Sequence, residues 1–146
     1  MKKLFLALML MLSTLPLTGC VIHKLSANLI VEKDLENPIV VDFVFIFDES
    51  VLEALHKVPS SEWFAKREQY KLDWEISKKI QVLSFELVPG QQEQLKYFKP
   101  RTNPIELLIF ASYLTQGDHR IALTDYSFVT LFINKDDIIV KDKNLR

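Results

Sequence analysis

IVVDFVFIF, residues 39–47, decides how this chain folds. Every residue in it except Asp42 is β-branched or aromatic, the types that suit a pleated surface. The run also lacks the polar alternation of a strand with one wet face, so it predicts a central strand covered on both sides. Working outward, Asp34-Leu35-Glu36-Asn37-Pro38 is a turn cluster, and Leu29 to Lys33 before it is a short strand. Beyond it, Asp48-Glu49-Ser50 is a helix start, followed by Val51, Leu52, Leu55 and Val58 at helical spacing until Pro59 interrupts. Ser60 or Ser61 would cap a second helical piece carrying Trp63, Phe64, Arg67 and Tyr70.

The second half of the chain is strand again. Residues 79–88 alternate and end at Pro89-Gly90, and Leu95 to Lys99 is a short edge before a loop bracketed by Pro100 and Pro104. Ile105 to Leu114 is a second strongly apolar strand, closed by Gln116-Gly117-Asp118. Tyr126 to Ile133 and Ile138 to Val140 flank Asn134-Lys135-Asp136-Asp137, which reads as a hairpin with a four-residue loop. The turns are too short for βαβ crossovers, so the chain is mainly β: an antiparallel sandwich with a short helical insertion over residues 29–146.

The N-terminus has a separate logic. Met1-Lys2-Lys3 is a basic head, Leu4 to Leu12 is wholly apolar, and Pro16, Thr18 and Gly19 precede Cys20, the only cysteine. This is the layout of a secretory signal peptide. Leu4 to Pro16 as a helix would reach about 20 Å, short of the roughly 30 Å hydrocarbon core, so it does not read as a permanent span. Leu17-Thr18-Gly19-Cys20 resembles a bacterial lipobox, which implies residues 1–19 as a lipoprotein signal peptide, lipidation at Cys20 and residues 20–28 as a tether. Val21 in place of an aspartate points to sorting to the outer membrane, with the domain in the periplasm. Removing residues 1–19 takes away Lys2 and Lys3 but no acidic residue, so the formal charge of −1 becomes two units more negative. A weakly acidic chain without a basic block offers no footprint for nucleic acid.

No catalytic pattern stands out. His23, His56 and His119 are scattered, without a second histidine or cysteine at ligand spacing, so no metal site is expected. Ser84, Ser112 and Ser127 lie in strand-like segments without a nucleophile elbow, and there is no glycine-rich phosphate loop. Glu62, Glu68, Asp73 and Glu75 are interleaved with Lys66, Arg67 and Lys71, the pattern of a solvated helix face. Trp63, Phe64, Tyr70 and Trp74 fit a helix packed on a sheet better than an exposed binding stripe. The chain therefore reads as a non-enzyme that needs no cofactor.

With anchor and strand order in place, the body resembles the outer-membrane lipoproteins of type VI secretion systems, the TssJ family. The segments that carry the resemblance are NPIVVDFVFIFD, SSEWFAKREQYKLDW, FELVPGQ, IELLIFASYL and YSFVTLFINKDDIIV, in that order across most of residues 27–140. The resemblance implies a transthyretin-like β-sandwich, a structural role, and a partner, the periplasmic C-terminal part of the inner-membrane protein TssM. In the family the loop between the first two strands contributes to that contact. The matching positions here are Asp34, Leu35, Glu36, Asn37 and Pro38, in a shorter loop. The competing reading is a pilotin-like chaperone or a carrier of an apolar ligand, which would need a large apolar cavity.

Overall fold

The computed structural model describes residues 24–124 and 127–141; Cys20 and the signal segment lie outside the described residues. Among those described, the chain order is β1 (Leu25–Val31), β2 (Ile39–Ile46), α1 (Glu49–Leu55), α2 (Ser60–Tyr70), β3 (Ile80–Leu87), β4 (Gln92–Phe98), β5 (Glu106–Ala111), β6 (Arg120–Leu123), β7 (Phe128–Ile133) and β8 (Ile138–Val140). The strands form two four-stranded sheets, β4-β1-β7-β8 and β3-β2-β5-β6.

The expected mainly β sandwich is present, and β2 lies inside its sheet with both faces covered. Because side chains alternate along a strand, Ile39, Val41, Phe43 and Phe45 enter the core between the sheets, while Val44 and Ile46 enter a second core under the helices. β5 divides in the same way, with Leu107, Ile109 and Ala111 on one face and Leu108 and Phe110 on the other. The Phe45 and Phe98 rings stack at 5.0 Å and tie β2 to β4 across the two sheets.

Three features of the strands depart from the reading of the sequence. Strand β1 begins at Leu25, so residues 25–28 belong to the sandwich and not to a tether: Leu25, Ala27, Leu29 and Val31 alternate inward and are buried. β1 also lies beside β7 in parallel, the exception among otherwise antiparallel pairings of the described residues. That pairing joins residues about a hundred positions apart, beyond the reach of any local pattern. Finally, β6 pairs with β5 although its four residues follow a turn cluster and carry no strand signal of their own.

Pro89-Gly90 forms the expected turn, with Gln91 N donating to Val88 O at 3.0 Å and Gly90 at φ 79°. Proline followed by a positive-φ glycine is the type II arrangement. It carries the chain from one sheet to the other, since β3 pairs with β2 and β4 with β1.

The helical insertion covers the outer face of the β2 sheet. Asp48 caps α1 by accepting from Val51 N at 3.1 Å. The start of α2 lacks the expected serine cap: Pro59 holds the cap position, and Ser60 Oγ donates instead to His119 O at 2.7 Å. The aromatic residues are packing elements, as expected. Trp63 is buried and stacks on Phe110 at 4.8 Å and on Tyr70 at 5.6 Å, and Tyr70 stacks on Trp74 at 4.9 Å. After α2 the chain widens into a π turn, Lys71–Glu75, where Glu75 Oε1 accepts from Val82 N on the sheet edge. The solvated face expected around Arg67 is only partly so, because Arg67 reaches inward to the buried Asp42.

Candidate functional site

Three connections meet at one end of the sandwich. The β1–β2 loop, the β5–β6 loop and the β7–β8 turn frame an open cleft lined by Asp34 to Ile39, Ser112 to Thr115, Lys135 and Asp136. The topology brings them together, because β1 and β7 end there and β2 starts there, while β5 reaches the same level at Ala111.

Each wall is fixed by its backbone. In the β1–β2 loop, Glu32 N donates to Ile133 O at 2.9 Å, and Glu32 O accepts from Gly90 N at 3.2 Å. Across the cleft, Ser112 extends the ladder, since its backbone N donates to Val40 O at 2.9 Å and its Oγ accepts from Val40 N at 2.8 Å. In the hairpin turn, Asn134 Oδ1 accepts from Asp136 N at 2.8 Å and from Asp137 N at 2.9 Å, the asparagine turn chemistry that made this hairpin legible.

Tyr113 joins two of the walls by donating its hydroxyl to Asn134 O at 2.8 Å. Burial, and then the negative charges of Asp137, Asp136 and Glu32, push the Tyr113 phenol well above its ordinary value. It therefore stays protonated and donating at physiological pH. The His119 ring packs 4.4 Å from the Tyr113 ring. Gly117 is required beside it, because a Cβ there would lie 2.6 Å from His119 Nε2.

His119 Nδ1 is 3.0 Å from Asp137 Oδ1, and its Nε2 is 3.3 Å from both Thr115 Oγ1 and Thr115 O. With the Asp137 carboxylate accepting from Nδ1–H, Nε2 of the neutral ring is the acceptor and faces the Thr115 hydroxyl, so the imidazole links Thr115 to Asp137. The group clamps the loop shut. Among the described residues no cluster of histidine, cysteine, aspartate and glutamate could hold a metal ion.

The structure divides the five residues expected at a partner site. Asp34, Glu36, Asn37 and Pro38 are exposed on the cleft rim. Leu35 is not offered to a partner, since it is buried and packs into the core between the sheets. A turn this short closes its ends by turning its one apolar side chain inward. The apolar residue exposed at the cleft is Leu114, 88% accessible, which sequence reading assigned to the end of a strand. Its only signal was position, a leucine directly before the turn residues Thr115-Gln116-Gly117. Lys135 and Asp136 join the rim through the hairpin, a contact that no local pattern reveals.

No known protein family and no curated protein matches the sequence. Solved structures match over most of the chain. Serratia marcescens Lip, a membrane-bound component of the type VI secretion system, aligns with a TM-score of 0.64 at 13% identity, over 85% of this chain and 99% of that one. The type VI secretion lipoprotein TssJ1 from Pseudomonas aeruginosa aligns with a TM-score of 0.62 at 12% identity, over 85% and 98%. This chain shares the fold of the type VI secretion lipoproteins. A chain in the structure described as the TssM C-terminal domain (869–1107) from EAEC has the TssJ-like fold too, with a TM-score of 0.61 at 10% identity, over 83% of this chain and 99% of that one.

Proposed function

We propose that this protein is the outer-membrane lipoprotein of a type VI secretion system, anchored through lipidated Cys20. It acts as a scaffold that binds the periplasmic C-terminal region of a TssM-like inner-membrane protein. The observation that carries this reading is the near-complete coverage of TssJ-type chains by a domain that follows a lipobox-like sequence. The matched chain in the TssM structure supports the partner. It is covered over 99% of its length by 83% of these 146 residues, so a chain of about this length and fold occurs in a structure named for the TssM C-terminal domain.

The cleft supplies the docking surface, an exposed Leu114 within an acidic rim that includes Asp34 and Glu36. No reaction and no cofactor is assigned. An apolar-ligand carrier fits less well, because Leu29, Phe43, Phe45 and Leu131 fill the space between the sheets.

Two measurements test the reading. Cys20→Ser should abolish incorporation of labelled palmitate, and native protein should fractionate with outer-membrane vesicles. Asp34→Ala with Glu36→Ala should weaken binding to the cognate TssM C-terminal region at least about tenfold, or about 1.4 kcal/mol. Full palmitate labelling of Cys20→Ser refutes the anchor, and unchanged affinity moves the contact away from the loop.

A further inference from the structure

The end of the sandwich opposite the cleft has a different chemistry. Leu25 pairs with Phe98, Ser26 with Phe128, and Ile46 with Ile80, so Lys24, Tyr97, Lys99, Arg101, Ile105 and Phe128 gather around the point where the chain enters β1. All six are exposed, with Tyr97 at 56%. Lys24 Nζ lies 5.2 Å over the Tyr97 ring, and Arg101 is held by donating to Ile80 O at 2.6 Å, with its guanidinium 6.0 Å from the Phe47 ring. Of the acids near this group, Glu106 is buried against His56 at 2.6 Å and Asp48 faces Lys79 at 3.4 Å, whereas the cleft end carries Asp34, Glu36, Asp136 and Asp137 against Lys33 and Lys135. The domain is therefore electrically polarised along β1, with its basic, aromatic end where the N-terminal segment joins.

We infer that this end is a membrane-docking face, seated on the anionic phospholipid surface that holds the Cys20 acyl chains. The inference rests on the anchor proposed above. Five peptide steps from Cys20 to Leu25 reach at most about 18 Å, so an acylated Cys20 keeps this end within reach of the headgroups. Tyrosine and phenylalanine at that depth place their rings at the interface, and lysine and arginine heads meet lipid phosphates. Seven residues of β1 set the cleft about 20 Å further out, facing the periplasm and away from the like charge of the membrane.

The test uses the full chain, purified with its anchor and reconstituted into phosphatidylethanolamine vesicles with or without phosphatidylglycerol. Cys20 is the only cysteine and is consumed by acylation, so Thr102→Cys and Asp34→Cys each provide one thiol for a fluorophore. A headgroup-linked quencher should dim the label at 102 several-fold more than the label at 34. The difference should shrink without phosphatidylglycerol and in the Lys24→Glu, Lys99→Glu background. Equal quenching at both positions, or a difference indifferent to lipid charge and to the charge reversal, overturns the docking face while leaving the anchor intact. A wild-type chain that does not float with the vesicles overturns the anchor, and this face with it.

Discussion

Asp42 and Arg67 form an ion pair between the middle of the central strand and the outer helix, with Arg67 Nε 2.8 Å from Asp42 Oδ2. Asp42 is completely buried, and it also accepts from Trp63 Nε1 at 2.9 Å and from Arg67 Nη2 at 3.2 Å. The one charge in the decisive apolar run thus fixes where α2 lies on the sheet. Asp42→Ala should destabilise the domain by about 3–5 kcal/mol, because it strips the counter-charge from a mostly buried guanidinium, which retains only a neutral partner in Ser84 Oγ at 2.7 Å, and takes the acceptor from the Trp63 indole N–H. Replacing both partners with apolar residues, Asp42→Val with Arg67→Met, should recover much of that loss. Urea unfolding of the three proteins decides it, and a double variant no more stable than Asp42→Ala would refute the pairing account.

Phe45→Ala should cost about 3–5 kcal/mol, the range for a large aromatic residue removed from a core that cannot collapse. Phe45 is fully buried and stacks on Phe98, so the cavity would open where the two sheets are tied together. Thermal or urea unfolding measures the change; a loss below about 1 kcal/mol would mean that the sheets close over the gap.

Much of this architecture is legible in the sequence because it is local. Residues 39–47 announce a strand covered twice, Asp48 announces a cap, and Asn134 announces the hairpin. What stays hidden is set by pairings between distant segments. The parallel register of β1 on β7 draws Leu25 to Asn28 into the sheet, and β6 exists only because β5 offers it an edge. The candidate site is split in the same way. Asp34 to Pro38 are visible as a turn, yet the inward choice of Leu35 and the approach of Leu114 and Lys135 follow from which strands end at the same level.

Asp48 provides a pH signature. The Ser50 hydroxyl first, and then the Val51 N–H, stabilise its ionised form and hold the carboxyl below its ordinary value of 3.8. A carboxyl whose folded value is depressed contributes stability above its unfolded value and loses that contribution as pH falls through the folded one. Asp48→Asn keeps an acceptor for the cap but removes the titration. Wild type should therefore be the more stable protein near neutrality, and its advantage should shrink between about pH 5 and pH 3. Urea midpoints across that range show it; a constant gap would mean that the cap works without its charge.

Leu35 and Leu114, both near the cleft, should separate stability from binding. Leu35 packs in the core between the sheets, so Leu35→Ala should cost about 2–5 kcal/mol of folding stability. Leu114 is 88% accessible, so Leu114→Ser should change stability by no more than about 0.5 kcal/mol. Binding should follow the opposite order under conditions where both variants are folded. Leu114→Ser removes the one large apolar side chain that the rim presents and should weaken association with the TssM C-terminal region. Leu35→Ala leaves Asp34, Glu36 and Leu114 in place and should bind within a few-fold of wild type. Calorimetric titration beside urea unfolding reads both effects on the same samples. Strong binding by Leu114→Ser together with weak binding by folded Leu35→Ala would mean that loop shape, and not an exposed apolar contact, is what the partner recognises.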